Sequence, residues 1–190
     1  MSGFEAIILG LVQGVTEFLP ISSSGHLVLA HHFFGAERGA LGFDVMLHLG
    51  TLLAVLFYFR RDIRQLLLAW GRIIRHRRIQ GSWERLAALL ALATVPAAIL
   101  GYFLEHEAET VFRSPWLVVG TLSGVGLLLL IAERVSRRDR EIDSLRTGEA
   151  LGIGVAQALA LVPGVSRSGV TMTAGLFLGL ERAEAARFSF

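Results

Sequence analysis

Two short stretches of this chain hold the residue types that move protons and grip anions. The first reads Gln13-Gly-Val-Thr-Glu17-Phe-Leu-Pro20-Ile-Ser22-Ser23-Ser24-Gly25-His26. Gln13 and Glu17 are four apart and share a face if the segment before Pro20 is helical. A carboxylate, three hydroxyls and an imidazole follow within ten residues, a set suited to nucleophilic and acid–base chemistry. Serines at such a break can also serve as helix caps, and an imidazole can reach toward water. Ionisable groups inside an apolar stretch are costly, however, and Glu17 and His26 are therefore read as functional.

The second stretch, Pro163-Gly-Val-Ser166-Arg167-Ser168-Gly169-Val-Thr171, places one arginine inside a long apolar region, in a Gly/Ser loop that opens a helix. Backbone N–H groups, hydroxyls and a positive helix terminus favour an anion there. The planar guanidinium adds donors matched to phosphate oxygens. Asp44 and His48 are four apart on one face of a further apolar segment, where they either line a cavity or mark its water boundary. Glu5 and Glu149 begin their segments, where a carboxylate suits the helix dipole. Glu37 with Arg38, and Glu181 with Arg182, are expected to form local ion pairs.

The elements that position these residues belong to a membrane. The chain has 190 residues, 53% hydrophobic and 18% charged, with a mean hydropathy of +0.59, too apolar for an ordinary soluble domain. Apolar runs cover 41–59, 86–104, 115–132 and 150–162, the last resuming over 169–180. The first three are long enough to cross roughly 30 Å of hydrocarbon as helices. The stretch 4–19 is shorter, holds Glu5, Gln13 and Glu17, and lacks the basic start and small-residue cleavage site of a signal peptide. There is no cysteine, which excludes disulfides and thiol catalysis.

Every basic residue is arginine, and the net charge of +2 does not point to nucleic acid. Arginines crowd 60–85 and 134–146, whereas Glu105, Glu107 and Glu109 mark the connection between. The positive-inside rule puts the arginine-rich segments in the cytoplasm and 105–113 outside. The 60–85 stretch, with Trp70 and Trp83, reads as an interfacial segment facing anionic lipid.

The sequence repeats itself at a spacing of 144. Glu5, Ala6, Gly10 and Gln13 match Glu149, Ala150, Gly154 and Gln157, and Ser22, Ser24 and Gly25 match Ser166, Ser168 and Gly169. Gly35, Glu37 and Arg38 match Gly179, Glu181 and Arg182. Three spans between the copies reverse the side from which the second enters. The predicted fold is an all-α polytopic membrane bundle forming a single domain over 1–190, with two inverted-topology repeats. Repeat 1 covers about 4–59, with a re-entrant broken-helix hairpin over 4–36; repeat 2 starts near 148, with its hairpin over 148–180. Broken helices in matching halves mark a binding site near the midplane. Where the second copy has Arg167 the first has Ser23, so one half offers anion binding and the other proton transfer and nucleophiles.

On the strings 13–26 and 163–171, and on Phe43-Asp-Val-Met-Leu-His-Leu-Gly-Thr51 and Ala186-Arg-Phe-Ser-Phe190, the chain resembles the undecaprenyl-diphosphatases of the bacitracin-resistance type. The resemblance implies hydrolysis of undecaprenyl diphosphate to the monophosphate carrier of cell-wall synthesis, in a bacterial cytoplasmic membrane with the site opening outward. It carries functional importance to Gln13, Glu17, Ser23, His26 and Arg167, with Ser22, Ser24, Ser166, Ser168 and Thr171 as phosphate contacts. The family commonly has glutamate where this chain has Gln13, and it continues with further helices beyond the position of Phe190. Mg²⁺ or Ca²⁺ held by Glu17 and Gln13 would suit a diphosphate in a low-dielectric cavity.

Other classes divide on the same residues. Inverted repeats also serve transporters and flippases, which would need Arg167 but not the Glu17, Ser23 and His26 group. A purely structural scaffold leaves buried Glu17, His26 and Arg167 unexplained, and a soluble nucleic-acid binder conflicts with the hydropathy. Expected partners are a polyprenyl diphosphate lipid and membrane lipids. The small faces at Gly120, Gly124 and Gly126 permit the close packing of a homodimer.

Overall fold

The computed structural model describes residues 2–34, 40–110 and 114–190, with 40–41 and 104–110 described by backbone alone. Among them the chain is helical: α1 (Gly3–Thr16), α2 (Ser23–Phe34), α3 (Ala40–Tyr58), α4 (Arg60–His76), α5 (Ser82–Thr110), α6 (Pro115–Val135), α7 (Thr147–Ala158), α8 (Arg167–Phe177) and α9 (Arg182–Ser189). α5 and α6 are long and apolar enough to cross a bilayer, and α3 with α4 makes a third such segment if the pair is taken together. The outward sides of these helices stay apolar, with Leu100, Leu127, Leu128, Leu130 and Ile131 exposed, as lipid as solvent requires. The chain is a multi-pass membrane protein.

α4 occupies the arginine-rich stretch between the first two apolar runs. Ile63, Leu66, Trp70, Ile73 and Ile74 recur at helical spacing against a face of Arg61, Arg64, Arg72 and Arg75, which makes an amphipathic helix rather than a loop. It bends away from α3 by 77°. The acidic stretch after the second run also differs from expectation. Glu105, Glu107 and Glu109 lie within the backbone of α5, which stays helical to Thr110.

The core joins α5 to α9. Leu89, Ala93, Ala132, Ile153, Leu176, Leu180 and Phe188 form one buried cluster. α7 lies directly on α5 because Gly154 lacks a side chain: a Cβ there would fall 2.4 Å from the Ala93 carbonyl oxygen. Both arginine-rich segments meet at one end of the bundle, where Arg85 donates to the Leu145 carbonyl at 2.8 Å. At that end the α7–α8 pair both begins and finishes. Arg140 donates to the Glu149 carboxylate at 2.9 and 3.0 Å and to the Leu178 carbonyl at 2.7 Å.

The expected pairing of Glu181 with Arg182 does not form. Arg182 instead grips Glu133 of α6 through both carboxylate oxygens at 2.8 Å. Adjacent residues at a helix start project apart, so the guanidinium reaches across to another helix. Glu37 and Arg38 lie outside the described residues.

The two broken helix pairs begin at equivalent positions. Gly3 and Thr147 open α1 and α7, and Ser23 and Arg167 open α2 and α8, each pair 144 residues apart. Their N-terminal turns close in the same way, the amide of Ser2 donating to Glu5 at 2.6 Å and that of Arg146 to Glu149 at 2.8 Å. The glutamates at these positions are thus helix caps, as their place in the sequence suggests.

Candidate active site

At the end of α1, Pro20 has no N–H to continue the helix, and the chain turns through Ser22, which takes a left-handed φ of 62°. The Ser22 hydroxyl accepts the Gly25 amide at 3.3 Å and lies 3.3 Å from the Ser24 hydroxyl. The second break repeats both contacts. Ser166 accepts the Gly169 amide at 3.0 Å and sits 3.2 Å from Ser168. Here the left-handed residue is Gly164, at φ 86°.

The tips touch each other. A Cβ on Gly25 would fall 3.0 Å from the Gly164 Cα, and one on Gly169 would fall 3.0 Å from the Pro20 carbonyl oxygen. α6 packs beside both, with Val118 next to Gly25 and Val125 next to Gly169. A Cβ at either point would crowd the opposite tip, so the close backbone approach favours glycine.

Glu17 is the centre of the first tip. Its Oε2 accepts the Ser23 hydroxyl at 2.5 Å and the Gln13 amide nitrogen at 3.2 Å. His48 of α3 brings Nε2 to 3.6 Å from the same oxygen, and its Nδ1 donates to the Asp44 carbonyl at 2.7 Å. Gln13, 1% exposed, also donates to the Thr51 hydroxyl at 3.0 Å. The Nδ1–H of His26 donates to the Ser22 carbonyl at 2.8 Å, which leaves Nε2 as the ring atom free to exchange a proton with a ligand. Asp44 pairs with the buried His31 at 2.8 Å.

Arg167 stands differently. It opens α8, is exposed, and its guanidinium has no hydrogen bond or ion pair among the described residues. The buried Ser166 and Ser168 hold the backbone beneath it. Thr171 is buried one turn further on, its hydroxyl donating to the Arg167 carbonyl at 2.8 Å and lying 2.5 Å from that of Ser189. The structure thus gathers Gln13, Glu17 and Ser23 by direct bonds and sets the second tip against the first through Pro20 and Gly169. Thr51 is a residue that sequence reasoning missed. It lies 38 residues from Gln13 on another helix, and only the Asp44–His48 spacing one turn earlier hinted that this face of α3 is polar.

Beside Phe18, an apolar cavity of about 320 Å³ is lined by Phe18, Ala54, Val55, Tyr58, Phe59 and Phe190. It lies next in sequence to the Glu17 carboxylate.

Fold and site together define a polytopic helical membrane protein whose polar centre sits where two broken helix pairs meet. Residues 6–190 match the family described as bacitracin resistance protein BacA, and the chain belongs to that family. It is 56% identical over 189 residues to the undecaprenyl-diphosphatase of Rubrobacter xylanophilus, covering 98% of this chain and 70% of that protein. It is 52% identical over 190 residues to that of Moorella thermoacetica, and 47% identical over 190 residues to that of Alteromonas mediterranea. Both of those matches cover 100% of this chain and 71% of the relative.

Proposed function

We propose that this chain hydrolyses undecaprenyl diphosphate to undecaprenyl phosphate and inorganic phosphate, which recycles the lipid carrier of cell-wall synthesis and confers bacitracin resistance. The observation that carries this reading is the 2.5 Å bond from the Ser23 hydroxyl to Glu17, a nucleophile on its base. Its relatives bear the name of this activity.

Ser23 Oγ attacks the terminal phosphorus while its proton passes to Glu17. The phosphoanhydride bond breaks as the Oγ–P bond forms, and His26, as imidazolium, gives the Nε2 proton to the departing undecaprenyl phosphate. Water then attacks the phosphoserine. Its proton returns to His26, Glu17 returns its own to Ser23, and inorganic phosphate leaves. Arg167 with the hydroxyls and N–H groups of Ser166 and Ser168 stabilises the charge on the phosphoryl oxygens, and Ser22 and Ser24 face the same group. The isoprenoid tail lies in the apolar cavity beside Phe18 and continues into lipid.

A divalent cation, Mg²⁺ or Ca²⁺, belongs to the same proposal. The residues expected to hold it are Glu17, through its carboxylate, and Gln13, whose amide oxygen would have to face the ion; a hard cation there would favour oxygen ligands. The amide nitrogen of Gln13 faces Glu17 and Thr51, so Gln13 as it stands does not offer its oxygen to an ion, and Glu17 is the residue of this pair that fits one. When bound, the ion neutralises charge on the diphosphate.

The broken pairs act as re-entrant hairpins of two inverted repeats in one membrane domain. Support comes from their equivalent starts and caps, their reciprocal contacts, and the return of α7–α8 to Arg140. With the arginine-rich end in the cytoplasm, the site opens to the outer face of the bacterial cytoplasmic membrane. The same architecture suits a transporter or flippase of lipid phosphates, which needs no hydroxyl held on a carboxylate.

The test is phosphate release from undecaprenyl diphosphate in detergent by the parent, Glu17→Ala, His26→Ala and Arg167→Ala chains, each with and without chelator. Release that collapses in all three variants supports the hydrolase. Movement of labelled lipid phosphate between leaflets without phosphate release would favour the transporter.

A further inference from the structure

We propose that Thr51 of α3 is a positioning residue of this site: its hydroxyl fixes the polarity of the Gln13 amide and thereby turns Glu17 Oε2 toward Ser23. The inference rests on the hydrolase reading for its consequence in turnover, and on hydrogen-bond accounting for its geometry.

The Thr51 hydroxyl has a single hydrogen. It lies 3.1 Å from the His48 carbonyl and 3.5 Å from the Leu47 carbonyl, both of which only accept. That hydrogen therefore goes to the backbone of α3, and the oxygen can only accept from Gln13 at 3.0 Å. Gln13 has two amide hydrogens. One meets Thr51 and the other meets Glu17 Oε2 at 3.2 Å. Turned over, the amide would press its carbonyl oxygen against a carboxylate and against a hydroxyl whose hydrogen is already engaged. In a residue 1% exposed, two such lone-pair contacts without water to relieve them are unfavourable.

The orientation is thus set from both sides, and the order of donors runs from Gln13 outward to Thr51 and to Glu17. Ser23 donates to the same oxygen as Gln13, at 2.5 Å. Two donors converging on Oε2 hold the carboxylate in the rotamer that receives the serine proton. Without the Thr51 hydroxyl, Gln13 keeps only its Glu17 contact and can swing away from it. α3 then no longer fixes the base, although no residue that meets phosphate has changed.

Thr51→Val keeps the branched shape and removes the hydroxyl, and Thr51→Ser restores the hydroxyl without the methyl. Phosphate release from undecaprenyl diphosphate should show kcat reduced about 10-fold in Thr51→Val at unchanged KM, with Thr51→Ser within about twofold of the parent, as for partners that orient a reactive side chain. Parental kcat in Thr51→Val overturns the proposal, as does a loss that Thr51→Ser fails to restore. A second readout needs no turnover. In ¹⁵N–¹H spectra of the detergent-solubilised chain, the Gln13 side-chain amide, assigned by its loss in Gln13→Ala, should have both protons protected from solvent exchange. Thr51→Val should release one of them. Unaltered exchange in Thr51→Val overturns the positioning role. The expected change in exchange with no phosphate release from the parent would support the orientation and remove the hydrolase reading.

Discussion

The first and second broken helix pairs use the same backbone devices and carry different chemistry. Each begins with a glutamate that caps its own first turn, each turns on a serine that accepts the amide three residues on, and each sets a second serine beside the first. At the position where the pairs differ most, the first has the buried Ser23 bonded to Glu17, and the second has the exposed Arg167. Ser23 is tied inward by a network reaching α3, whereas Arg167 projects its charge outward from a helix start held by buried serines. The two pairs therefore share their turns and differ in their charges. In the proposed mechanism, the carboxylate side supplies proton transfer and the cationic side supplies grip.

The division can be broken chemically. Glu17→Gln removes the base but leaves a side chain able to bond Ser23, and phosphate release should fall by roughly 10²–10⁴-fold with little change in KM. Arg167→Ala should cost roughly 10²–10³-fold because donors to the transferred phosphoryl group are lost. Arg167→Lys should recover part of that loss, since a point charge replaces a planar fork. Steady-state kinetics on purified variants measure all three. If Glu17→Gln raised only KM and Arg167→Ala lowered only kcat, the roles assigned to the two halves would be exchanged.

The shared scaffold makes a different prediction. Gly25→Ala and Gly169→Ala each push a methyl into the other tip's backbone, and both should destabilise by about 1–3 kcal/mol in detergent unfolding experiments. Equal losses support equivalence of the two contacts. A loss at one position alone would show that only one tip depends on the other.

The smallest effect separates the caps. Glu149 is held at about 2 against the ordinary 4.5, first by its hydrogen bonds to Arg140 and then by the Arg146 amide. A depressed carboxyl contributes stability that is full above pH 4.5 and is lost as pH falls from there toward 2. Melting curves over that window should show the parent losing stability, and Arg140→Gln starting lower and changing less.

Much of the site was legible because its residues are neighbours in sequence. Glu17, Ser22, Ser23, Ser24 and His26 fall on one short string, and the 144-residue repeat marked both breaks. What stayed hidden came from distant helices. Thr51 meets Gln13 across 38 residues, and only the Asp44–His48 spacing before it hinted that this face of α3 is polar. Arg182 reaches Glu133 across 49 residues, since adjacent residues at a helix start project apart. α4 carries a helical pattern, but its many arginines drew attention to an interfacial surface and away from the helix that forms it.

The meeting of the tips has a further consequence. Position 25 of the first pair contacts position 164, and position 169 of the second contacts position 20, the same two places with the copies exchanged. This is the relation that an isologous dimer interface imposes on two identical chains. In a dimer of identical chains, one mutation alters both contacts at once and keeps them matched. Within one chain the two tips can change separately, so a substitution at one must be tolerated by a partner that does not change with it.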